Sequence, residues 1–254
     1  MENGEVCYGL ELECAVPREF VKGKKGGHCS GKKFGAGEWT AEDDGSLDTD
    51  EDDYSTVEFC SPVFTLKTWD KTFDVLREYM HAKEDSLDNI EINSSCGSHI
   101  HFSWKPDDCN FYNRLMYQFG LKEMHLARNL IFLRVKEELP QMYDQFRGHY
   151  FRDYAQKVDN ISDANDKYHE FHYTTVQGME WRSVNMLGVT SWKDMRKLVR
   201  IASEVIDNVI KEGMVVGEVE FEPKPSPELR KKWKSDMYLQ TFLGKDKEYM
   251  EISE

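Results

Sequence analysis

The sequence lacks any apolar run long enough to cross a membrane as a helix, which takes about 18 residues or more. Its first residues, MENGEVCYGLELE, also lack the basic and then apolar order of a secretion signal. Bases are scarce, with 33 Lys and Arg against 47 Asp and Glu and a net charge of -14. Such a surface repels nucleic acids and anionic membranes. We therefore expect a cytoplasmic protein without nucleic-acid or membrane partners, acting on small or cationic molecules.

Paired cysteines are missing too. The six cysteines have no Cys-x-x-Cys pair and no close Cys/His spacing, which predicts free thiols rather than disulfides or structural zinc. They are Cys7, Cys14, Cys29, Cys60, Cys96 and Cys109. There is no internal repeat, and 254 residues suffice for one substantial core, so we expect a single domain over 1–254.

Alternation of apolar and polar residues predicts strands near the start of the chain. Residues 5–16, 38–44 and 54–62 carry this pattern. Between the first two, residues 22–37 hold six glycines and five lysines without helical or strand periodicity, which predicts a mobile loop. Its lysines could close over phosphates or simply be solvated. The acidic run at 48–53 is interpreted as a solvated turn, because it lacks the Gly and Glu positions of an EF-hand.

The rest of the chain mixes helical and strand patterns. Helices are predicted over 65–81 with a Thr cap, over 111–138 with a further helical stretch to about Val158, over 191–211 with a Ser cap, and in a shorter tail at about 227–254. Strands are predicted over 174–185 and in a hairpin that joins 89–92 to 98–104. This mixture indicates an α+β fold.

Four predicted strands place ionisable side chains at alternate residues. They carry Glu11 and Glu13, Glu58, His99 and His101, and Glu180 and Arg182. If these strands share a sheet, all of these groups project from one face. Carboxylates brought together repel and need protons, cationic partners or metal ions. Such a set suits Mg²⁺ or Mn²⁺, and an arginine adds a planar fork for phosphate oxygens, so a nucleotide is expected.

Each pair also has an ordinary structural interpretation when taken alone. A Glu-x-Glu pair can line a solvated strand face, and alternate histidines can be hydrogen-bonded surface residues. Glu180 and Arg182 can form an ion pair. Only the combination favours a functional site.

The motifs, taken in order, resemble a known family. GLELE (9–13), DDGSLD (43–48) with VEFCSP (57–62), SCGSHIHFS (95–103) and MEWRSVN (179–185) resemble the amidoligase family of the glutamine synthetase superfamily. The resemblance implies a glutamine synthetase-like α+β fold, with an antiparallel sheet forming an open saddle or funnel backed by helices. It further implies a ligase that uses ATP and Mg²⁺ (or Mn²⁺) to join a carboxylate and an amine, each a small molecule or peptide, through an acyl phosphate.

The resemblance also implies roles for individual residues. Glu13 and Glu58 would help to hold one metal ion, and Glu11, His99 and Glu180 another. His101 and Arg182 would contact ATP phosphates, and Arg182 would also assist catalysis.

Asp44, in the DGS turn, is expected near the substrate, where it would assist deprotonation of the amine. It could equally be a turn-capping residue, and Asp43 could take its place. Arg152, Lys167 and Tyr168 are further candidates for phosphate or substrate contacts. Cys96 has no predicted base beside it and is interpreted as a packing residue rather than a nucleophile.

Two other functions could use the same residues. A metal-dependent phosphohydrolase would activate water and need no nucleoside triphosphate. A non-catalytic member of the fold would bind a nucleotide without turnover. A requirement for an added amine, and for Arg182, distinguishes the ligase from the hydrolase.

Overall fold

The computed structural model of the chain describes residues 6–23, 26, 32–33, 35–104, 119–143, 156–160, 163–164, 167–174, 178–186 and 188–215. Met1–Ile210 form one unit, and Lys211–Glu254 form a second, most of which lies outside the described residues. The single domain over 1–254 therefore stays a prediction. The predicted helical tail at 227–254 lies outside the described residues. No helix that the structure describes is long and apolar enough to cross a membrane.

The described strands form one antiparallel sheet, which together with the helices makes the fold α+β, as predicted. The strands are β1 (Val6–Pro17), β2 (Lys32–Lys33), β3 (Thr40–Asp43), β4 (Tyr54–Cys60), β5 (Gly97–Trp104), β6 (Phe171–Thr174) and β7 (Gly178–Asn185). Their order across the sheet is β2-β3-β4-β1-β5-β7-β6. The long strand β1 lies in the middle, because it pairs with β4 on one side and with β5 on the other.

The alternation within these strands separates an apolar face from an ionisable face. On β1, Leu10 and Leu12 are buried, while Glu11 and Glu13 project from the opposite side. On β5, Ile100 and Phe102 are fully buried in the same way. Each such apolar side chain contributes about 1.5–3 kcal/mol when it is removed from water. Burial of the apolar set thus fixes which way the ionisable set projects.

The named helices of the described residues are α1 (Arg18–Val21), α2 (Trp69–Tyr79), α3 (Leu121–Glu138) and α4 (Trp192–Val215). The hydroxyl of Tyr8, on the apolar side of β1, donates to the carbonyl of Ser203 on α4 at 2.9 Å. The Phe73 ring of α2 lies 5.5 Å from the Trp192 ring of α4, edge to face. The apolar side of the sheet is therefore anchored to α4, which also contacts α2.

The strand predictions for the first half of the chain are confirmed, with one exception. The predicted hairpin between 89–92 and 98–104 is wrong, because β5 pairs with β1 and β7 instead. Glu91 forms only an isolated bridge with Ala15. The longer strands β1 and β7 offer β5 more backbone hydrogen bonds than a four-residue segment could.

The strand predicted over 174–185 is in fact part of a pair of strands. β6 and β7 run antiparallel, with Thr174 opposite Gly178, and residues 175–177 between them lie outside the described residues. Gly178 has a φ of +93°, which glycine adopts without the steric cost that a side chain brings. The additional strand, β6, places His172 opposite Glu180 of β7.

Two of the predicted helices differ from the observed ones. α2 begins at Trp69, and the side chain of its capping residue Thr68 makes no bond to the helix, since its Oγ1 accepts the N–H of Thr65 at 2.9 Å. α3 begins at Leu121, and residues 111–118 of the predicted helix lie outside the described residues. Of the further helical stretch expected to reach about Val158, residues 140–143 are helical, residues 144–155 lie outside the described residues, and residues 156–158 are not helical.

The last described helix and the cysteines agree with prediction. Ser191 caps α4, because its Oγ accepts the N–H of Asp194 at 3.1 Å. Cys7, Cys14, Cys60 and Cys96 take part in no disulfide, and the other two cysteines lie outside the described residues. The predicted loop at 22–37 contains one short strand, since Lys32 and Lys33 pair with β3.

A buried ion pair joins α3 to the segment before β6. Arg128 Nη1 lies 2.9 Å from Glu170 Oε1, and the two side chains are 2% and 0% exposed. The same carboxylate oxygen accepts the N–H of Val158 at 3.3 Å. Charges buried this deeply depend on each other, since removing one leaves the other desolvated without a partner.

We therefore expect Arg128→Met to lower the free energy of unfolding by about 3–5 kcal/mol, because it leaves Glu170 as an uncompensated buried charge. Urea denaturation followed by circular dichroism measures this loss. The matched control is Arg200→Met, which breaks a pair with Asp70 whose side chains are 41% and 51% exposed. That change should cost about 1 kcal/mol or less. Similar losses in the two variants would contradict this interpretation.

Candidate functional site

The ionisable face of the sheet brings the predicted site residues together. Antiparallel pairing sets Glu13 opposite Glu58 and Glu11 opposite His99. Farther along, His101 lies opposite Glu180. Residues far apart in the sequence thus become neighbours through the register of the sheet.

His99 lies at the centre of this face, among three carboxylates. Its Nδ1 is 3.2 Å from Glu11 Oε2 and 3.3 Å from Glu180 Oε1, and its Nε2 is 3.6 Å from Glu13 Oε1. Burial disfavours the charged imidazole, but the contact with Glu11 and the charge of Glu13 outweigh it and raise the pKa of His99 to about 9. At neutral pH a proton on His99 therefore helps to neutralise the surrounding carboxylates.

Glu11 is held by both histidines of β5. His101 Nε2 lies 2.7 Å from Glu11 Oε1, and His99 contacts the other oxygen. Burial opposes ionisation of Glu11, but these contacts outweigh it, and the pKa of Glu11 falls well below its ordinary value. Despite the short distance, neither ring nitrogen of His101 has an aligned hydrogen-bond partner among the described residues. The contact is therefore electrostatic, and the imidazole keeps unused bonding capacity.

Glu180 is held by three cationic or polar groups. Its Oε2 lies 3.1 Å from His172 Nδ1, and its Oε1 contacts both Arg182 Nη1 and His99. Burial opposes ionisation here as well, since the residue is only 3% exposed. The hydrogen bond from His172 and the charges of His99 and Arg182 still lower the pKa of Glu180. This carboxylate is ionised and firmly oriented.

Arg182 lies at an irregularity in β7. Ser98 pairs with Val184 and Ile100 with Trp181, so Arg182 and Ser183 together oppose one residue of β5, as in a β-bulge. The backbone N–H of Arg182 donates to the Glu170 carbonyl at 2.9 Å. Its side-chain Nε is buried without a hydrogen-bond partner among the described residues. Part of the guanidinium fork therefore stays available for another acceptor.

The other end of the ionisable face is rich in carboxylates. Glu13, Asp44 and Glu58 bring one oxygen each within 4.8 Å of one another. Burial and the charge of Glu11 raise the pKa of Glu58 to about 7. The Cys60 thiol donates to Glu58 Oε1 at 3.3 Å, and burial and that carboxylate raise its pKa, so it stays protonated. In the part of the chain that the structure describes, neither Asp44 nor Glu58 has a Lys or Arg partner.

Three groups of side chains on this face could hold a metal ion. They are Glu11, His101 and Glu180; Glu13, Asp44 and Glu58; and Glu42, Glu58 and Cys60, with the ligand atoms of each group within 4.8 Å of one another. The first group includes His101, for which phosphate contact was predicted, rather than His99. The second includes Asp44, for which a catalytic role was predicted.

Asp44 caps a turn and also lies among the carboxylates of the site. Its Oδ1 accepts the N–H of Ser46 at 2.8 Å and the Ser46 hydroxyl at 2.6 Å, which is the bonding of a turn-capping Asp. It also lies in the carboxylate group with Glu13 and Glu58. Asp43 is exposed and belongs to none of these groups.

The described contacts do not link the remaining candidates Lys167 and Tyr168 to this cluster. Lys167 lies over the ring of Tyr168, with 5.4 Å between its Nζ and the ring centroid. Arg152 lies outside the described residues. Two residues that the sequence analysis missed are His172 and Glu42. Their signal was the alternation of the short segments FHYT and TAED, in which each follows a buried neighbour.

Gly97 lies directly against the carboxylate of Glu13. Its N–H donates to Glu13 Oε2 at 2.6 Å. A Cβ atom at this position would lie 2.9 Å from the same oxygen, which is closer than a carbon and a carboxylate oxygen normally approach. It would lie 3.5 Å from His99 Nε2, which is an ordinary contact distance. The absence of a side chain at Gly97 thus allows the carboxylate of Glu13 to take its position.

Comparisons with known proteins give little support for a family. No protein-family model matches this sequence, and no curated protein matches it. Among solved structures, the cryo-EM structure of glutamine synthetase from Plasmodium falciparum matches with a TM-score of 0.35 and 11% identity. The match covers 88% of this chain and 54% of that one, so this chain spans about half the length of that protein. A likeness this low carries no argument, and the family resemblance stays a prediction.

The raised pKa of Glu58 predicts a pH-dependent loss of stability in the metal-free protein. Below pH 4.5, its ordinary pKa, Glu58 is protonated in the folded and unfolded chains alike. As pH rises toward 7, the unfolded chain releases this proton while the folded chain keeps it, so the free energy of unfolding falls. In EDTA, the free energy of unfolding of Glu58→Gln should therefore exceed that of the wild type by on the order of 2–3 kcal/mol at pH 8. Near pH 4 the two values should match.

Urea denaturation at each pH measures this difference. Glu19→Gln is the control, because Glu19 is exposed, and it should change the free energy of unfolding by less than about 0.5 kcal/mol at either pH. A Glu58→Gln effect that does not depend on pH would contradict the assignment.

Proposed function

We propose that this protein is an ATP-dependent ligase that joins a carboxylate to an amine through an acyl phosphate, with Mg²⁺ or Mn²⁺ bound at the ionisable face. The observation that carries the proposal is the division of charge along that face. His101, His172 and Arg182 lie around Glu11 and Glu180 at one end, and Glu13, Asp44 and Glu58 lie at the other. His99 lies between the two ends. Such a face suits an anionic phosphate donor beside a basic amine.

The donor set fits a hard divalent cation. Carboxylate oxygens with one or two imidazoles are ligands that Mg²⁺ and Mn²⁺ accept. Two groups here could be satisfied by a cation: His101 Nδ1, which is buried without a hydrogen-bond partner among the described residues, and Glu58, whose pKa is raised. We assign Glu13 and Glu58 to one ion, and Glu11 and Glu180 with an imidazole from His99 or His101 to another. Bound there, the metal would act as a Lewis acid toward phosphate oxygens.

Arg182 is the residue best placed to bind a transferring phosphoryl group. A guanidinium offers a planar fork that matches phosphate oxygens, and part of this fork lacks a partner. When a carboxylate approaches a phosphate, two anions meet, and the positive charge of Arg182 reduces their repulsion. Positioning and electrostatic stabilisation account for most catalysis of phosphoryl transfer.

Asp44 is assigned to the amine. As the amine nitrogen attacks the acyl carbon, the carbon–nitrogen bond forms, phosphate leaves and the nitrogen must lose a proton. Asp44 Oδ1 is engaged by Ser46, which fixes the carboxylate and leaves Oδ2 to accept that proton. The neighbouring carboxylates Glu13 and Glu58 make this end of the face attractive to a cationic amine.

The metal part of the proposal predicts a specific effect at Gly97. Gly97→Ala should weaken Mn²⁺ binding about tenfold or more, because the new Cβ displaces the carboxylate of Glu13. Electron paramagnetic resonance of free Mn²⁺ measures the affinity without any reaction.

Gly9→Ala is the matched control for this test. Gly9 lies on the same face, but a Cβ there meets only the Cβ of His101, at an ordinary 3.7 Å. Its Mn²⁺ affinity should stay within about twofold of wild type, since no ligand moves. Equal losses in the two variants, or none in Gly97→Ala, would count against the assignment of Glu13.

The ligase chemistry is tested with ATP, Mg²⁺ and a library of acids and amines. Mass spectrometry should find an amide, with ADP and phosphate released in equal amounts. If the acid carries ¹⁸O in its carboxylate, one ¹⁸O atom should appear in the released phosphate, because an acyl phosphate passes its bridging oxygen to phosphate when the amine attacks. Phosphate without ¹⁸O would contradict the acyl-phosphate route.

The variant Arg182→Ala separates this function from hydrolysis. A ligase should lose about 10²–10³-fold in turnover, because a preorganised positive charge is removed. A phosphohydrolase should lose little and should turn over without an amine. ADP formation that never depends on an amine would identify hydrolysis, and nucleotide binding without turnover would identify a binding protein.

A further inference from the structure

His172 contacts the ionisable face but lies outside the sequence motifs that carry the other residues of that face. It lies on β6, at the end of the strand order, and pairs directly with Glu180 of β7. Its Nδ1 is 3.1 Å from Glu180 Oε2, and its side chain is 20% exposed. A mostly buried imidazole on a mostly buried carboxylate is a contact that water does not readily replace.

The two oxygens of Glu180 have different partners. Oε2 contacts His172, whereas Oε1 contacts Arg182 and lies 3.3 Å from His99 Nδ1. The carboxylate is therefore fixed in one orientation. Glu180 also shares a group of possible ligand atoms with Glu11 and His101.

The contact also fixes the state of the imidazole. Because an ionised carboxylate only accepts hydrogen bonds, Nδ1 of His172 must carry a proton. Imidazoles and carboxylates paired in this way commonly orient metal ligands, and their loss weakens metal binding.

We propose that His172 is a positioning residue, whose Nδ1–H holds Oε2 of Glu180 and so fixes the orientation of this carboxylate for the metal ion assigned to Glu11 and Glu180. This inference rests on the proposed function, because it presumes that Glu180 is a ligand. His172 itself contacts neither metal nor substrate in this role.

A purely structural role for His172 is less well supported by its surroundings. β6 is already attached to β7 by backbone pairing from Phe171 to Thr174. Phe171 is fully buried, and the hydroxyl of Tyr173 donates to the Phe119 carbonyl at 3.3 Å. These neighbours hold the strand without help from the imidazole.

Mn²⁺ titration of the full chain without nucleotide, followed by electron paramagnetic resonance, tests the proposal. His172→Ala should weaken Mn²⁺ binding about tenfold or more. His172→Asn should recover most of the affinity, because the asparagine amide nitrogen lies near the position of Nδ1 and can donate to the same oxygen. Tyr173→Phe is the structural control, which should lower the melting temperature while the affinity stays within about twofold.

The outcomes separate this inference from the proposed function. If the wild type binds Mn²⁺ and His172→Ala binds it equally well, the positioning role is overturned and the metal site stands. If His172→Ala and Tyr173→Phe lose affinity alike, or His172→Asn gives no recovery, His172 is only a structural residue. If the wild type fails to bind Mn²⁺, the metal site and this inference are both overturned. Should His172→Ala fail to fold, His172→Phe, which keeps a ring but has no donor, takes its place in the comparison with His172→Asn and Tyr173→Phe.

Discussion

Repulsion among carboxylates on one face of the sheet is the constraint on which the rest of this structure depends. Glu11, Glu13, Glu58 and Glu180 all project from the same side and are largely removed from water. At one end the histidines and Arg182 offset this charge, and the local carboxylate pKa values fall. At the other end such partners are fewer, and the pKa of Glu58 rises to about 7. The same sheet thus holds carboxylates in opposite electrostatic states.

Burial of the apolar face offsets the free-energy cost of crowding these carboxylates. Leu10, Leu12 and Phe59 are buried beneath the carboxylates, and the helices α2 and α4 are joined by the contact between Phe73 and Trp192. A strand cannot turn one residue outward without moving its neighbours, because successive side chains alternate between faces. Burial of the apolar set therefore holds the ionisable set in place against its own repulsion. Rigid strands also keep ligand groups at fixed separations better than loops do.

The sequence revealed the members of each strand but not all of their partners. Alternation is a local property, so the shared face of Glu11 and Glu13, and of His99 and His101, could be predicted. The register that sets Glu13 opposite Glu58 depends on pairing between distant segments. The turn residues before Gly97 suggested a hairpin, because the competing partner β1 lies some 80 residues earlier. His172 was missed because β6 has only four residues, too few for its alternation to stand out in the sequence.

The contacts on this face describe a resting state that a cation can replace. His99 keeps a proton among three carboxylates, and Glu58 keeps one where ordinary carboxyl groups do not. Arg182 is paired with Glu180, yet its Nε has no partner among the described residues. A divalent ion bound to the carboxylates would neutralise them in place of these protons. A phosphate could then compete with Glu180 for Arg182. Protons, metal and phosphate would then bind as linked equilibria, because each neutralises the same crowded set of charges.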